Sequence, residues 1–190
     1  MRLAFLFSIV LSLLAAGQSV SAAADRPDQG GSVRTADTGD YKLGVDDKVR
    51  VLIYNEPTLS GEYLVNANGV VSMPLIGETN ALGLTTTQLQ AEIVGKLKPR
   101  YLLDPSVSID VLVFRPFYVL GEVTKPGDYP YVVGLTALKA VAIAEGFTYR
   151  ADKRHIFIKA TGQTGETRYD LTPNVFLRPG DTVRIGERYF

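Results

Sequence analysis

The segment Phe117–Gly146 constrains the fold more than any other part of the sequence. Phe117 to Val123 is apolar and rich in aromatic and β-branched residues, which favours a half-buried strand. Lys125-Pro126-Gly127-Asp128 has the composition of a turn, because proline presets φ and glycine adopts positive φ without steric cost. Tyr129 to Val133 then predicts a second, returning strand.

A helix is predicted directly after this hairpin. Thr136 stands at the N-cap position, and Gly146 stands where a C′ glycine would end the helix. Apolar residues recur between them at roughly helical spacing, namely Leu135, Leu138, Val141, Ile143 and Ala144. A hairpin followed by a helix packed across it is the opening of a β-grasp fold.

The region before Phe117 predicts further strands. Val49–Tyr54 and Val107–Phe114 alternate between apolar and polar residues. Asn68-Gly69 lies between the runs Glu62–Asn66 and Val70–Met73, and Asn-Gly in that setting is a strong hairpin signal.

One helix is predicted in the same region, from Thr85 to Leu97. Thr85 and Gln88 have the spacing of a capping box, and Pro99 ends the helix. Residues four apart form one apolar stripe, made of Leu89, Ile93 and Leu97. Beyond the central hairpin, three more strands are predicted at Arg154–Ala160, Glu166–Leu171 and Thr182–Ile185.

Two short strings recur in both halves of the chain. The string Leu43–Arg50 (LGVDDKVR) resembles Leu177–Arg184 (LRPGDTVR). Gly77-Glu78-Thr79 with Gly83-Leu84-Thr85 likewise resembles Gly121-Glu122-Val123 with Gly134-Leu135-Thr136. If the strings correspond, both halves contain the same two features: a turn that leads into a strand, and a helix capped by threonine. Asp47 and Asp181 are then turn residues that bond their own backbone. A chance match is the alternative.

Composition excludes several classes of protein. The chain has 190 residues, of which 46% are hydrophobic, as expected for a folded protein. Its 20 Lys and Arg balance 20 Asp and Glu, so no nucleic-acid partner is expected. The absence of cysteine rules out disulfides, thiolate metal sites and a cysteine nucleophile, and a single histidine rules out a multi-histidine site.

The N-terminus has the pattern of a secretory signal peptide. Arg2 precedes the apolar run Leu3–Ala16, and small residues follow up to Ala24. The run is shorter than the roughly 20 residues of a membrane-spanning helix. We expect residues 1–24 to be removed and residues 25–40 to form a flexible linker, with an uncleaved anchor as the alternative.

No residue pattern indicates catalysis. Asp46-Asp47 is a carboxylate pair, but adjacent residues on a strand face opposite sides, whereas glycan hydrolysis needs two facing carboxylates. His155 is predicted to be a surface histidine. Glu78 and Glu122 follow glycines at strand ends, where ion pairs, subunit contacts or plain solvation would suit them. No cofactor or metal is expected.

Aromatic residues are the suggestive feature, since tyrosine combines an apolar ring with a hydroxyl that suits sugars. Tyr129 and Tyr131 share a predicted strand face, and Tyr118 lies on the opposing strand. We take Tyr118, Glu122, Tyr129 and Tyr131 as candidate contacts for a glycan or a neighbouring subunit, with core packing as the alternative for the tyrosines.

Several strings together resemble one family. Residues 119–130 read V-L-G-E-V-x-x-P-G-x-Y-P, which is similar to the SLBB (soluble ligand-binding β-grasp) module of bacterial polysaccharide export proteins. The preceding region resembles that family's other domain, in Y-K-L-G-V-D-D-K-V-R-V at 41–51, E-P-x-L-S-G-E-Y at 56–63, N-G-V-V-S-M-P-L-I-G-E at 68–78 and D-P-x-V-S-I-D-V at 104–111. The resemblance runs from about Tyr41 to the C-terminus.

The resemblance implies an α+β protein of two small modules. Residues 41–114 would form the polysaccharide export N-terminal domain, and residues 115–190 the SLBB β-grasp domain. The chain resembles the short members of the family, because it stops just past a strand and shows neither a second SLBB module nor the final amphipathic helix that crosses the outer membrane in some relatives. Without cysteine it is not expected to be a lipoprotein, unlike many capsule exporters.

The implied function is export of an extracellular or capsular polysaccharide without catalysis. Copies of the chain would form a ring around a channel, in the periplasm and associated with the outer membrane. The implied partners are the exported polysaccharide, an inner-membrane polysaccharide copolymerase and a separate outer-membrane protein. Two alternatives stay open: a monomeric periplasmic module that binds or senses a glycan, and a glycan-cleaving enzyme using Asp46, Asp47 or Glu122.

Overall fold

The computed structural model describes residues 41–188. The predicted signal peptide and linker, and the last two residues, lie outside this range. The described chain forms two small modules, each around its own hydrophobic cluster. We name residues 41–113 the N-terminal module and residues 116–188 the C-terminal module. The predicted α+β class is confirmed.

The N-terminal module combines two small sheets with one helix. Its elements in chain order are β1 (Lys48–Ile53), β2 (Gly61–Leu64), β3 (Val70–Met73), β4 (Gly77–Asn80), α1 (Thr86–Leu97) and β5 (Val107–Val113). One sheet has the strand order β2-β1-β5, and the other pairs β3 with β4. The apolar stripe of α1 is fully buried in the module's core.

The C-terminal module is a five-stranded sheet packed with one short helix. Its elements are β6 (Phe117–Gly121), β7 (Gly127–Tyr129), α2 (Ala137–Ile143), β8 (His155–Lys159), β9 (Thr167–Asp170) and β10 (Thr182–Ile185). The strand order is β7-β6-β10-β8-β9. Only the β6–β10 pair is parallel, and the other neighbours are antiparallel. Buried residues of α2 share one core cluster with the strands.

The hairpin β6–β7 forms, but the predicted turn and second strand are displaced. Gly127 and Asp128 belong to the strand, since Asp128 pairs with Tyr118, and residues 130–133 are not strand. Pro130 has no N–H to give to a ladder, which ends the strand early. The chain turns instead after Gly121, whose φ is +85°.

The hairpin predicted across Asn68-Gly69 is wrong in its pairing. β2 pairs with β1, and β3 pairs with β4. A tight turn is present, because the Gly69 N–H donates to the Asn66 carbonyl at 2.8 Å and Gly69 has a φ of +77°. The two flanking strands nevertheless join different sheets, so a local turn signal did not identify the partner strands.

The helix ends were predicted from local signals, with one shift of register. Thr85 and Thr136 are the N-caps, and Thr85 forms the predicted capping box with Gln88. Helix α2 ends in a Schellman motif, in which Gly146 donates to Val141 and Glu145 donates to Ala142. The C′ residue is therefore Glu145, one position before the predicted Gly146. The predicted stripe residues Leu138 and Ile143 are exposed.

The two recurring strings adopt the same structure. Asp47 Oδ2 accepts the Gly44 N–H at 2.7 Å, and Asp181 Oδ2 accepts the Arg178 N–H at 2.8 Å. Each turn then docks on the residue before the helix N-cap. The Leu43 N–H donates to Leu84 at 2.8 Å, and the Leu177 N–H donates to Leu135 at 2.9 Å. The predicted correspondence is confirmed for the turns and the threonine caps, whereas Gly77 begins β4 and Gly121 ends β6. We name the turn segments the Asp47 turn (43–47) and the Asp181 turn (177–181).

Candidate functional site

The five-stranded sheet has a core face and an opposite face. Val119, Ile158 and Val183 point into the core and are buried. Their neighbours point the other way, because successive strand residues face opposite sides. We name this second side the open face. Its residues are Tyr118 and Leu120 of β6, Asp128 of β7, His155, Phe157 and Lys159 of β8, Arg168 and Asp170 of β9, and Thr182 and Arg184 of β10.

Two rows of side chains cross the open face. The strand register aligns Leu120, Arg184, Phe157 and Arg168 in one row. It aligns Asp128, Tyr118, Thr182 and Lys159 in the other. With strands about 4.8 Å apart, each row of four is about 15 Å long. The face therefore places apolar rings and hydrogen-bonding groups side by side along an extended path.

Arg184 lies near the middle of the open face, between Glu166 and Phe157. Its Nε donates to both carboxylate oxygens of Glu166, at 2.9 and 3.0 Å. Its guanidinium carbon lies 4.2 Å from the ring centroid of Phe157, in cation–π geometry. The hydrogen bonds from Arg184 lower the pKa of Glu166, against the opposing effect of burial. This part of the face is therefore organised before any ligand arrives.

His155 lies at one end of the open face, between charged groups. Its Nδ1 is 2.7 Å from Asp152 Oδ2, and its Nε2 is 2.6 Å from Arg168 Nη2. Arginine only donates, so Nε2 accepts, and Nδ1 carries the proton donated to Asp152. The hydrogen bond from His155 lowers the pKa of Asp152. The side chain of His155 is 19% exposed, so the predicted surface histidine is half-buried at the edge of the open face. Among residues 41–188, no group of three His, Asp or Glu side chains is placed to hold a metal ion.

The four predicted contact residues do not form one site. Tyr118 lies on the open face with 43% of its surface exposed. Tyr129 points to the core side, opposite Phe117, and its hydroxyl donates to the Lys125 carbonyl at 2.6 Å. Glu122 follows β6 and accepts a hydrogen bond from the Thr148 hydroxyl.

Tyr131 faces the junction of the two modules. Its ring meets Phe114 edge-on at 5.6 Å between centroids, and its hydroxyl donates to the Leu177 carbonyl at 3.1 Å. The core-packing alternative therefore describes Tyr129 and Tyr131 better than an exposed contact surface does. Tyr118 is the tyrosine of the four that is available on the open face.

The remaining predicted acidic residues have different surroundings. Asp47 is fully buried within the Asp47 turn, whereas Asp46 is exposed beside it with a φ of +70°. Glu78 is exposed on β4, and its backbone carbonyl accepts from Lys96 Nζ. The pair Asp46-Asp47 thus does not present two carboxylates to one space.

Sequence reasoning missed Phe157, Arg184 and Glu166. The signal was present in β8, where Ile156 and Ile158 occupy the core side and an aromatic residue stands between them on the opposite side. An aromatic residue on the polar side of a strand indicates a contact surface. The bidentate pair of Arg184 and Glu166 could not be read from the sequence, because 18 residues separate the partners.

Both halves of the chain match known protein families. Residues 35–112 match the family described as polysaccharide biosynthesis/export protein, and residues 115–185 match the SLBB domain. The chain belongs to the polysaccharide export family. The match also agrees with the resemblance that the sequence strings carried, in both halves and in the same order.

The chain is similar to two characterised proteins. The exopolysaccharide production protein ExoF of Rhizobium meliloti (strain 1021) is 38% identical over 175 residues, which is 84% of this chain and 41% of ExoF. The polysialic acid transport protein KpsD of Escherichia coli is 28% identical over 159 residues, which is 78% of this chain and 28% of KpsD. The chain thus spans less than half the length of either relative. Neither helix in residues 41–188 is long and apolar enough to cross a membrane.

Proposed function

We propose that this protein is an export component for an extracellular or capsular polysaccharide. The observation that carries the proposal is the tandem of a polysaccharide biosynthesis/export domain and an SLBB domain over residues 35–185. The names of ExoF and KpsD, which refer to exopolysaccharide production and polysialic acid transport, support the same substrate class.

The proposed mechanism is passage of a finished polymer without bond-making. The buried Asp47 and Asp181 are committed to hydrogen bonds within their own turns, and Glu166 is held by Arg184. These commitments leave the three carboxylates poorly placed for acid–base chemistry. Energy for transport would come from polymer synthesis and from an inner-membrane copolymerase, the proposed partner together with a separate outer-membrane protein.

We propose that identical copies of the protein assemble into a ring in the periplasm, associated with the outer membrane, and that this ring exports the polymer. A ring needs a head-to-tail interface whose rotation closes. The two larger sheets offer edge strands to a neighbour: β2 and β5 in the N-terminal module, and β7 and β9 in the C-terminal module. The signal-peptide pattern of residues 1–24 supports export from the cytoplasm.

Within this ring, the open face is the surface we assign to the polymer. Tyr118 offers an exposed ring for the apolar side of a sugar, and the same row carries Asp128, Thr182 and Lys159 as hydrogen-bonding groups. Mixed charges on the face suit a polyhydroxyl chain better than a polyanion. Glu122 remains a candidate contact at the end of β6.

The test is polysaccharide secretion in a strain that lacks this gene. We expect the deletion to abolish extracellular polysaccharide and the wild-type gene to restore it. Tyr118→Ala should lower secretion several-fold at equal protein level. Tyr149→Ala is the matched control, because Tyr149 is 84% exposed but lies outside the open face. Normal secretion by the deletion strain would contradict the proposal.

A monomeric glycan-binding module is the second candidate, and the preorganised open face favours it. It predicts a monomer that binds soluble oligosaccharide with micromolar affinity, measurable by calorimetry and lost in Tyr118→Ala. The export component predicts assembly together with loss of secretion. Secretion and molar mass therefore separate the two candidates.

A further inference from the structure

Arg115, in the short link between β5 and β6, contacts both modules. Its backbone N–H donates to Asp47 Oδ1 at 2.8 Å, and its Nη1 lies 3.2 Å from Asp47 Oδ2. Its Nε donates to the Pro179 carbonyl at 3.1 Å. Asp47 belongs to the N-terminal module, and Pro179 belongs to the C-terminal module. One side chain thus bonds the Asp47 turn and the Asp181 turn at the same time.

Two glycines leave the space that the guanidinium fills. A Cβ added to Gly44 of the Asp47 turn would overlap Arg115 Nη1. A Cβ added to Gly180 of the Asp181 turn would lie 2.8 Å from Arg115 Nε, which is closer than real Cβ contacts. The equivalent turns of the two modules therefore face each other, and the Arg115 side chain fits between their backbones.

The electrostatics make this contact costly to break. The Asp47 side chain is 0% exposed and that of Arg115 is 19% exposed. The Asp47 carboxylate also accepts hydrogen bonds from the Gly44 N–H and from the Tyr41 hydroxyl, so several donors besides Arg115 satisfy it. Removing one partner of such a pair leaves a buried charge uncompensated. Burial, and then the hydrogen bond to Asp47, raise the pKa of Tyr41 and keep its hydroxyl protonated as a donor.

A line of aromatic rings reinforces the junction. Tyr41 packs edge-on against Phe114 at 5.0 Å between centroids, and Phe114 packs against Tyr131 at 5.6 Å. The line runs from the N-terminal module through the link into the C-terminal module. Such edge-to-face pairs are directional, so they favour one relative orientation of the rings.

We infer that Arg115 is an orientation pin, which fixes the angle between the two modules and so allows copies of the chain to close into a ring. The first half of this inference rests on the contacts above. The second half rests on the proposed function. A head-to-tail ring closes only when every subunit contributes the same rotation, so a hinge at residue 115 would give open or mixed assemblies.

The test measures the distance between two spin labels, one on each module, by pulsed electron paramagnetic resonance. The chain has no cysteine, so Ala91→Cys on α1 and Ala142→Cys on α2 provide unique labelling sites, both exposed. The variants are Arg115→Gln and Arg115→Lys in the leader-free chain, labelled at low concentration. Arg50→Gln is the matched control, because Arg50 is an exposed arginine whose contact with Glu62 lies within one module.

We expect a single narrow distance peak in the parent and in Arg50→Gln. Arg115→Gln should broaden it at least two-fold, and Arg115→Lys should be intermediate, because lysine keeps the charge but not the fork of donors. Circular dichroism checks that the modules stay folded. If Arg115→Gln fails to fold, the pair Asp47→Asn with Arg115→Gln removes both charges and should show the same broadening.

Light scattering of the same variants tests the second half. Loss of the defined multimer together with the broadened distance supports the full inference. An unchanged narrow peak in folded Arg115→Gln, or in the double variant, would overturn the pin without touching the export proposal. A broadened peak with an unchanged multimer would overturn the claim that ring closure depends on the pin.

Discussion

Glu145 holds a backbone conformation that residues with a Cβ rarely adopt. Its φ is +63°, at the C′ position of α2, where glycine is the usual residue. The adjacent Gly146 also has positive φ, at +89°. The sequence showed the glycine but not which of the two residues ends the helix, because that depends on the last hydrogen bond of α2.

Replacing Glu145 with glycine should stabilise the protein. Glycine removes the steric cost of the left-handed conformation, by roughly 0.5–1 kcal/mol net of the added unfolded-state entropy. Glu145→Gln is the control, since it also removes the charge that pairs with the exposed Lys125 but keeps the Cβ. Denaturant unfolding should rank Glu145→Gly above Glu145→Gln. Equal stability of the two variants would contradict the assignment of strain to this residue.

The pair of Glu166 and Arg184 should make stability depend on pH. Pairing lowers the pKa of Glu166 below its ordinary 4.5, so its stabilising effect is complete above that value and is lost as pH falls through the folded-state pKa. Both side chains are about one third exposed, so we expect only about 0.5–1 kcal/mol at pH 7.

Glu166→Gln should therefore be less stable than the parent at pH 7, and the difference should shrink as the pH falls below 4.5. Denaturant unfolding of both proteins at pH 7 and at a series of acidic pH values measures it. Because Asp152 titrates in the same direction, the comparison is between parent and variant, not between pH values alone. A difference that grows on acidification would contradict the predicted sign.

Individual elements were predictable where their determinants are local. The threonine caps, the apolar stripe of α1 and the alternation of β1 each lie within one element, and the structure confirms them. The predicted alternation of β5 holds from Val107 to Val111 and is lost at Val113, which is exposed beyond a register shift with β1. Strand partners were less predictable, because pairing depends on the whole sheet. β2 completes the sheet of β1 and β5 instead of pairing across Asn68-Gly69, and Pro130 shortened β7.

In the candidate site, too, features set within one strand were predictable and features set by distant partners were not. Alternation placed Tyr118 on one strand side, but the sequence could not separate it from Tyr129, because the register of β6 and β7 decides which residues share a face. Tyr131 was missed as a junction residue, and residue 115 was predicted only as the start of the second domain, since the partners of both residues lie far away along the chain.

The contribution of the capping box of α1 to stability can be tested. Thr85 accepts the Gln88 N–H at 3.2 Å, and Gln88 accepts the Thr85 N–H at 3.0 Å. Thr85→Ala should destabilise the protein by about 1 kcal/mol. Thr87→Ala, an exposed position within the same first turn, should have almost no effect. Equal losses in thermal or denaturant unfolding would show that the cap contributes nothing of its own.

The two modules have separate cores, contain the same turn and the same threonine helix cap, and meet at Arg115. Each module has its own core cluster, and contacts through Arg115 link the two. Edge strands on both modules and an open sheet face are features that the proposed ring around a polymer would use.

The proposed ring is tested by the molar mass of the chain without residues 1–24, measured by light scattering with and without detergent. We expect a defined multimer of many subunits in at least one of these conditions. A strict monomer at high concentration in both conditions would contradict self-assembly into a ring and would favour the monomeric glycan-binding module.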